Sequence, residues 1–240
     1  MLHVNARQAG LLHPVDMDAA HATPGTAPRH PDKPFLYFIA PGDDLGEELC
    51  ASGTNQRLYR VMDGCLAVYH LLPDGRRQII DIAGPGRAIA GLPGGPDGHA
   101  IKALTFTEIE VLDAAVNPAL AAEAAQEALV RLARHAMLLG RMNAAEKVAN
   151  GLLDLAAQFP RKLRQGHPVL TLYLTRNDLA DWLGLTVETV SRTLNQFKRT
   201  GMIDYAHAEI VTLTRPEQLK ALASGRPTLI RNTRRQGEHA

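Results

Sequence analysis

Glu188, Ser191, Arg192 and Asn195 fall at i, i+3, i+4 and i+7, so on a helix they share one face. An acid, a hydroxyl, a guanidinium and an amide are the groups that read base edges in a major groove: arginine forks onto guanine O6 and N7, and a carboxylate accepts from cytosine N4. On an isolated helix the same residues would be a solvated face, with Glu188 merely favourable near a helix N-terminus. The neighbouring elements decide between these readings.

The surrounding run is LTRNDLADWLGLTVETVSRTLNQFKRTGMI, Leu174 to Ile203. Thr175 can cap a first helix, with Asp178 three residues on completing a capping box. Leu179, Trp182 and Leu183 supply its apolar stripe, and Gly184 ends it in the left-handed conformation glycine tolerates. Thr186 caps a second helix, on which Val187, Val190, Leu194 and Phe197 recur at helical spacing and face a core. Met202-Ile203 and Ile210 to Leu213, either side of Ala206-His207, then make a hairpin. Two capped helices, a tight turn and a hairpin are a winged helix-turn-helix, and its ligand is double-stranded DNA. Glu188, Ser191 and Arg192 are the expected base contacts, with Glu188 and Arg192 one turn apart and able to pair with each other. Thr175, Arg176, Asn177, Thr186 and Thr189 lie at helix N-termini, where free amides favour phosphate, and are the expected backbone contacts.

The 240 residues, 45% of them hydrophobic, suffice for one or two globular domains. Charge is uneven: residues 1–159 hold 13 Lys and Arg against 18 Asp and Glu, net −5, whereas 160–240 hold 13 against 7, net +6. The basic part contains the helix-turn-helix, as phosphate binding requires. No run has the length of an apolar membrane span and no signal-peptide pattern opens the chain, so a cytoplasmic protein is expected. Cys50 and Cys65 form neither a disulfide framework nor a metal-ligand spacing. An enzyme is not expected, because no Ser/His/Asp set, metal cluster or phosphate-cradling loop has the needed spacing.

Along the chain, residues 1–33 are rich in Pro, Ala and His and read as a mobile tail; His3, His13, His21 and His30 are too irregular for a metal site. Residues 34–115 alternate short β-type runs with Gly, Pro and Asp, the cadence of an antiparallel β-roll. Leu58, Val61, Leu66, Val68, Ile80 and Ile82 are its expected inward positions, with a hairpin turn at Asp74-Gly75. Residues 116–143 form a long Ala/Leu-rich helix in which Ala122, Ala125, Leu129, Leu132, Ala136 and Leu139 recur at coiled-coil spacing. Part of this stripe must pack on the roll; Leu129, Leu132, Ala136 and Leu139 are the expected dimer interface. Gly140 and Asn143 mark the break before the DNA-binding domain, residues 144–225. Arg161 to His167 read as a basic link before a strand from Val169 to Leu174, and 226–240 as a basic tail.

At Val187 to Arg192 the run VETVSR resembles the recognition-helix signature of the CRP/FNR transcription regulators, in their FNR/FixK branch. "DGRRQI…PG" in the roll, the long helix, and Leu138 to Pro160 are similar to the same family, from about Phe35 to Ala223. The resemblance implies an α+β chain: a cyclic-nucleotide-binding-like antiparallel β-roll, a dimerisation helix and a C-terminal winged helix-turn-helix. It also implies a homodimeric activator, with RNA polymerase as partner. The site would be a palindrome of the TTGAT…ATCAA type, and the controlled metabolism respiratory, microaerobic or nitrogen-oxide. Departures matter too. Cyclic-nucleotide binders of this fold carry Gly-Glu and, some ten residues on, Arg, where this chain has Gly91-Leu92 followed by Pro93 to His99. A cyclic phosphate would lack its guanidinium, so no cAMP binding is expected. The N-terminal cysteines that hold an iron–sulfur cluster in the FNR proteins are missing, so no cluster is expected. The rival function is a sensor whose roll holds haem or another small molecule; His70, His99 and Cys65 are ligands by type, but no haem-attachment motif accompanies them. No cofactor is expected.

Overall fold

A computed structural model describes residues 13–14, 35–45, 57–90, 99–164, 166–207 and 209–226. They belong to two compact units, within residues 1–134 and 135–240. In the first, the strands are β1 (His13–Pro14), β2 (Phe35–Ile39), β3 (Arg57–Asp63), β4 (Leu66–Leu71), β5 (Arg77–Ala83), β6 (Ala88–Ala90), β7 (His99–Ala103) and β8 (Thr107–Asp113). They pair antiparallel as a five-stranded sheet, β1-β2-β8-β3-β6, and a three-stranded one, β5-β4-β7. Tyr59, Val61, Leu66, Val68, Ile101 and Ile109 form one buried cluster of this roll.

Five of the six inward positions read from the sequence are buried, Leu58, Val61, Leu66, Val68 and Ile82; Ile80 is only partly so. The cause is a β-bulge: Val68 faces Asp81 but Tyr69 faces Ile79, so Ile80 is the extra residue and Ile79 takes the buried place. The Asp74-Gly75 turn forms as expected, with Gly75 at φ 85° and the Asp74 carboxylate accepting from the backbone N–H of Arg76 at 3.1 Å. Within the expected tail, His13 and Pro14 pair with Phe38 and Tyr37; the rest of residues 1–33 lies outside the described residues.

Helix α1 (Pro118–Arg141) starts against the roll, where Leu120, Ala121 and Ala124 pack with Leu58, Ala88 and Leu112. A charge network fastens it there. The Asp81 carboxylate accepts from Arg131 Nε at 2.7 Å and from Arg87 Nη2 at 3.0 Å, Arg87 Nη1 donates to the Ile82 carbonyl at 2.8 Å, and Arg87 Nε lies 2.9 Å from Glu127.

The second unit holds α2 (Ala144–Gln158), β9 (Pro160–Arg164), β10 (His167–Thr171), α3 (Arg176–Leu183), α4 (Val187–Arg199), β11 (Ile203–His207), β12 (Ile210–Leu213) and α5 (Pro216–Ala223), with sheet order β11-β12-β10-β9. Two expectations are corrected. Helix α1 runs through Gly140 to Arg141, so of the two expected break positions only Asn143 interrupts the helix, together with Met142; Asn143 turns extended and its side chain accepts from the backbone N–H of Ala145 and Glu146. An exposed glycine costs a helix about 1 kcal/mol, too little to end one with so much alanine. The basic link is a strand: Pro160–Arg164 pairs with β10 through a hairpin whose Gly166 sits at φ 79°. In α2, a Cβ on Gly151 would come within 3.2 Å of Leu183, so glycine lets that helix approach the end of α3.

Candidate nucleic-acid interface

Local chemistry sets both helices of the motif. Thr175 Oγ1 accepts from the backbone N–H of Asp178 at 3.1 Å, while the Asp178 carboxylate accepts from the Thr175 backbone N–H at 3.0 Å and hydroxyl at 2.6 Å. Gly184 closes α3 at φ 59°; a Cβ there would lie 2.8 Å from Leu139 Cδ2, so conformation and space both call for glycine. Thr186 Oγ1 accepts from the backbone N–H of Thr189 at 3.2 Å and starts α4. Val190, Leu194 and Phe197 of α4 are buried, and each such side chain contributes about 1.5–3 kcal/mol, enough to fix which face turns outward. Thr193 is also buried, its hydroxyl donating to the Thr189 carbonyl at 2.8 Å.

On the outward face Glu188, Arg192 and Asn195 are exposed and Ser191 is half-buried. Glu188 and Arg192 form no ion pair with each other among the described residues, so neither neutralises the other. The expected phosphate contacts divide by occupation. The Thr175 and Thr186 hydroxyls already serve as caps, the latter sharing a hydrogen bond with Thr189 Oγ1 at 3.0 Å. Asn177 is exposed. Arg176, half-buried at the first turn of α3, has its guanidinium carbon 5.7 Å from the centre of the Tyr205 ring.

Lys198, Arg199 and Tyr205, which the sequence does not single out, lie beside this face. Lys198 and Arg199 line a shallow concavity of about 670 Å³ together with Arg192 and Asn195. The two cations carry a sequence signal, since in the last turn of α4 they complement its dipole and extend its basic face. Tyr205 of β11, just before the bulge between Tyr205 and His207, brings its ring within 5.4 Å of Lys198 Nζ. Burial pushes its phenol above the ordinary tyrosine value although the Arg176 charge pulls the other way.

Residues 146–222 match the Crp-like helix-turn-helix domain. The nitrogen fixation regulation protein FixK of Rhizobium meliloti (strain 1021) is 32% identical over 183 residues, 75% of this chain and 84% of that one. The chain belongs to the CRP/FNR family, in its FixK branch. The FixK of Bradyrhizobium diazoefficiens is 36% identical over 176 residues, 69% of this chain and 73% of that one. The structure of FixK2 from Bradyrhizobium japonicum superposes with TM-score 0.67 at 28% identity, covering 79% of this chain and 97% of that one. A CRP/FNR chain of this branch is a DNA-binding transcription regulator and not an enzyme, and double-stranded DNA is its ligand.

In this CRP/FNR chain the residues expected to dimerise divide. Leu129 and Leu132 are 68% and 52% exposed and Ala136 is exposed, joined by Met137 at 60%, whereas Leu139 is half-buried beside Gly184. In the roll, the place of the cyclic-nucleotide residues, 91–98, lies outside the described residues, as does Cys50. Cys65 is buried, and His70 of β4 stands opposite His99 of β7 in the strand register. Among the described residues no group of three or more His, Cys, Asp or Glu could hold a metal ion, and no helix is long and apolar enough to cross a membrane.

Proposed function

We propose that the protein is a cytoplasmic homodimer whose two α4 helices enter successive major grooves of a palindromic TTGAT…ATCAA-type site. The observation that carries this reading is the outward face of α4, where Glu188 and Arg192 stand exposed and unpaired on a helix whose other face is locked into a core. Each is thereby available to a base edge, Arg192 to guanine and Glu188 to cytosine. The apolar side chains of Leu129 and Leu132, each more than half exposed and close together on one helix face, support dimerisation, since they gain by burial against a second copy. Ala136 completes that face, and Leu139 adds only its uncovered part. Phosphate contacts come from Arg176, Asn177 and Thr189, with the capping residues Thr175 and Thr186 presenting helix N-termini to the backbone. No cAMP, haem or iron–sulfur cluster is required, and RNA polymerase is the partner at the promoter. The controlled metabolism is respiratory, microaerobic or nitrogen-oxide; two relatives are named as nitrogen fixation regulators.

Selection of bound duplexes from random DNA, run in parallel with the Leu132→Glu variant, tests the proposal. The wild type should enrich a palindrome with half-sites about one helical turn apart. The variant should sediment as a monomer and bind that palindrome about a hundredfold more weakly, having lost the second linked half-site contact. A monomer with wild-type affinity, or enrichment of a single unpaired half-site, would contradict it.

A further inference from the structure

Two cations from two helices meet one aromatic ring at the wing. Arg176 at the start of α3 and Lys198 at the end of α4 lie 5.7 and 5.4 Å from the centre of the Tyr205 ring, inside the range of cation–π attraction. Neither cation has a carboxylate partner among the described residues. Arg176 Nη1 and the Tyr205 hydroxyl lie buried beside each other, and neither has a hydrogen-bond partner beyond that pair among the described residues. A fold that gathers two like charges beside one ring and gives neither a carboxylate leaves both to an anion from outside. The Arg192–Asn195–Lys198–Arg199 concavity shares Lys198 with this cluster, so the cluster continues the basic end of α4 away from Glu188.

We infer that Tyr205 is a positioning residue whose ring holds Arg176 and Lys198 together as a clamp for a backbone phosphate of the bound DNA, an inference that rests on the DNA-binding reading above. The acceptor the cluster lacks is an anionic oxygen, and the duplex backbone supplies one. The ring restricts two long side chains, so less side-chain entropy is lost when the phosphate docks. The clamp adds affinity and register without reading sequence, which remains with Glu188 and Arg192.

The test measures binding of the full-length dimer to a TTGAT…ATCAA duplex and its single-base variants at several salt concentrations, for wild type, Tyr205→Leu, Tyr205→Phe and Lys198→Gln. Tyr205→Leu should weaken every duplex alike, on the order of tenfold, and lower the slope of log affinity against log salt by about one to two units per half-site. Tyr205→Phe keeps the ring and should keep the wild-type slope. Lys198→Gln changes an exposed side chain, leaves folding intact, and should lower the slope by about one unit with base preference unchanged. A wild-type slope for Tyr205→Leu or Lys198→Gln, an altered base preference in either, or a Tyr205→Phe loss equal to that of Tyr205→Leu would overturn the clamp. A wild type that does not distinguish the palindrome from its variants would overturn the DNA reading itself, whatever the variants do.

Discussion

The roll and the winged unit treat their cations in opposite ways. In the roll, Arg60 pairs with the buried Glu110, and Arg87 and Arg131 converge on Asp81; each charge is spent inside the fold. Around α4, Arg176, Arg192, Lys198 and Arg199 have no carboxylate partner among the described residues. Paired charges in a partly buried setting fix geometry, because removing one partner strands the other. Unpaired charges at a surface add little to the fold and are available to an anion from outside. The difference locates the ligand on the winged unit without any appeal to the net charge of the chain.

Breaking the roll's network should therefore give the largest effect on stability. Asp81→Ala leaves two guanidiniums facing each other and should cost about 2–4 kcal/mol in urea unfolding of the roll transition. A loss under about 0.5 kcal/mol would mean the network is ornamental. The two tyrosines sharpen the same contrast on a smaller scale. The Tyr69 hydroxyl donates to Asp44 at 2.8 Å, so Tyr69→Phe should cost about 1 kcal/mol, whereas the Tyr205 hydroxyl has no carboxylate partner among the described residues and Tyr205→Phe should cost less.

Alkaline titration reads the same pair. Burial, and then the hydrogen bond to Asp44, raise the Tyr69 phenol well above the usual range; burial raises Tyr205 as well. Both groups hold their proton more tightly folded than unfolded. Their contribution is fully present below the unfolded value of about 10 and is lost as pH climbs from there toward the folded values. Stability should therefore fall above about pH 10, and less steeply in Tyr69→Phe. The smallest expected effect is Arg199→Gln, which should change stability by under about 0.5 kcal/mol, since the charge it removes is exposed and unpaired.

What the sequence made legible was local. Thr175 with Asp178, Gly184, Thr186 and the Val190–Leu194–Phe197 stripe act within a turn or two of their own positions, so spacing alone carried them into the structure. What escaped depends on partners elsewhere. The strand β9 has neither alternation nor a β-rich composition and exists because β10 pairs with it. Ile80 loses its inward place to a bulge set by the partner strand, and Gly140, a helix breaker by type, stays helical because its neighbours sustain the helix. Tyr205 meets Arg176 and Lys198 only after the wing folds back, a contact no periodicity encodes. The stripe on α1 was readable as apolar, but its division into an inward Leu139 and outward Leu129 and Leu132 was not.

The central claim, that α4 reads bases while the N-terminus of α3 and the wing hold phosphate, is tested most directly by comparing Arg192→Ala with Arg176→Ala on a panel of single-base half-site variants at several salt concentrations. Arg192→Ala should cost about 1–3 kcal/mol on the preferred site and flatten discrimination at one base pair of each half-site. Arg176→Ala should weaken all duplexes alike and lower the salt slope by about one unit. If Arg192→Ala weakened every duplex equally while Arg176→Ala changed the preferred base, the assignment of the two faces would be contradicted.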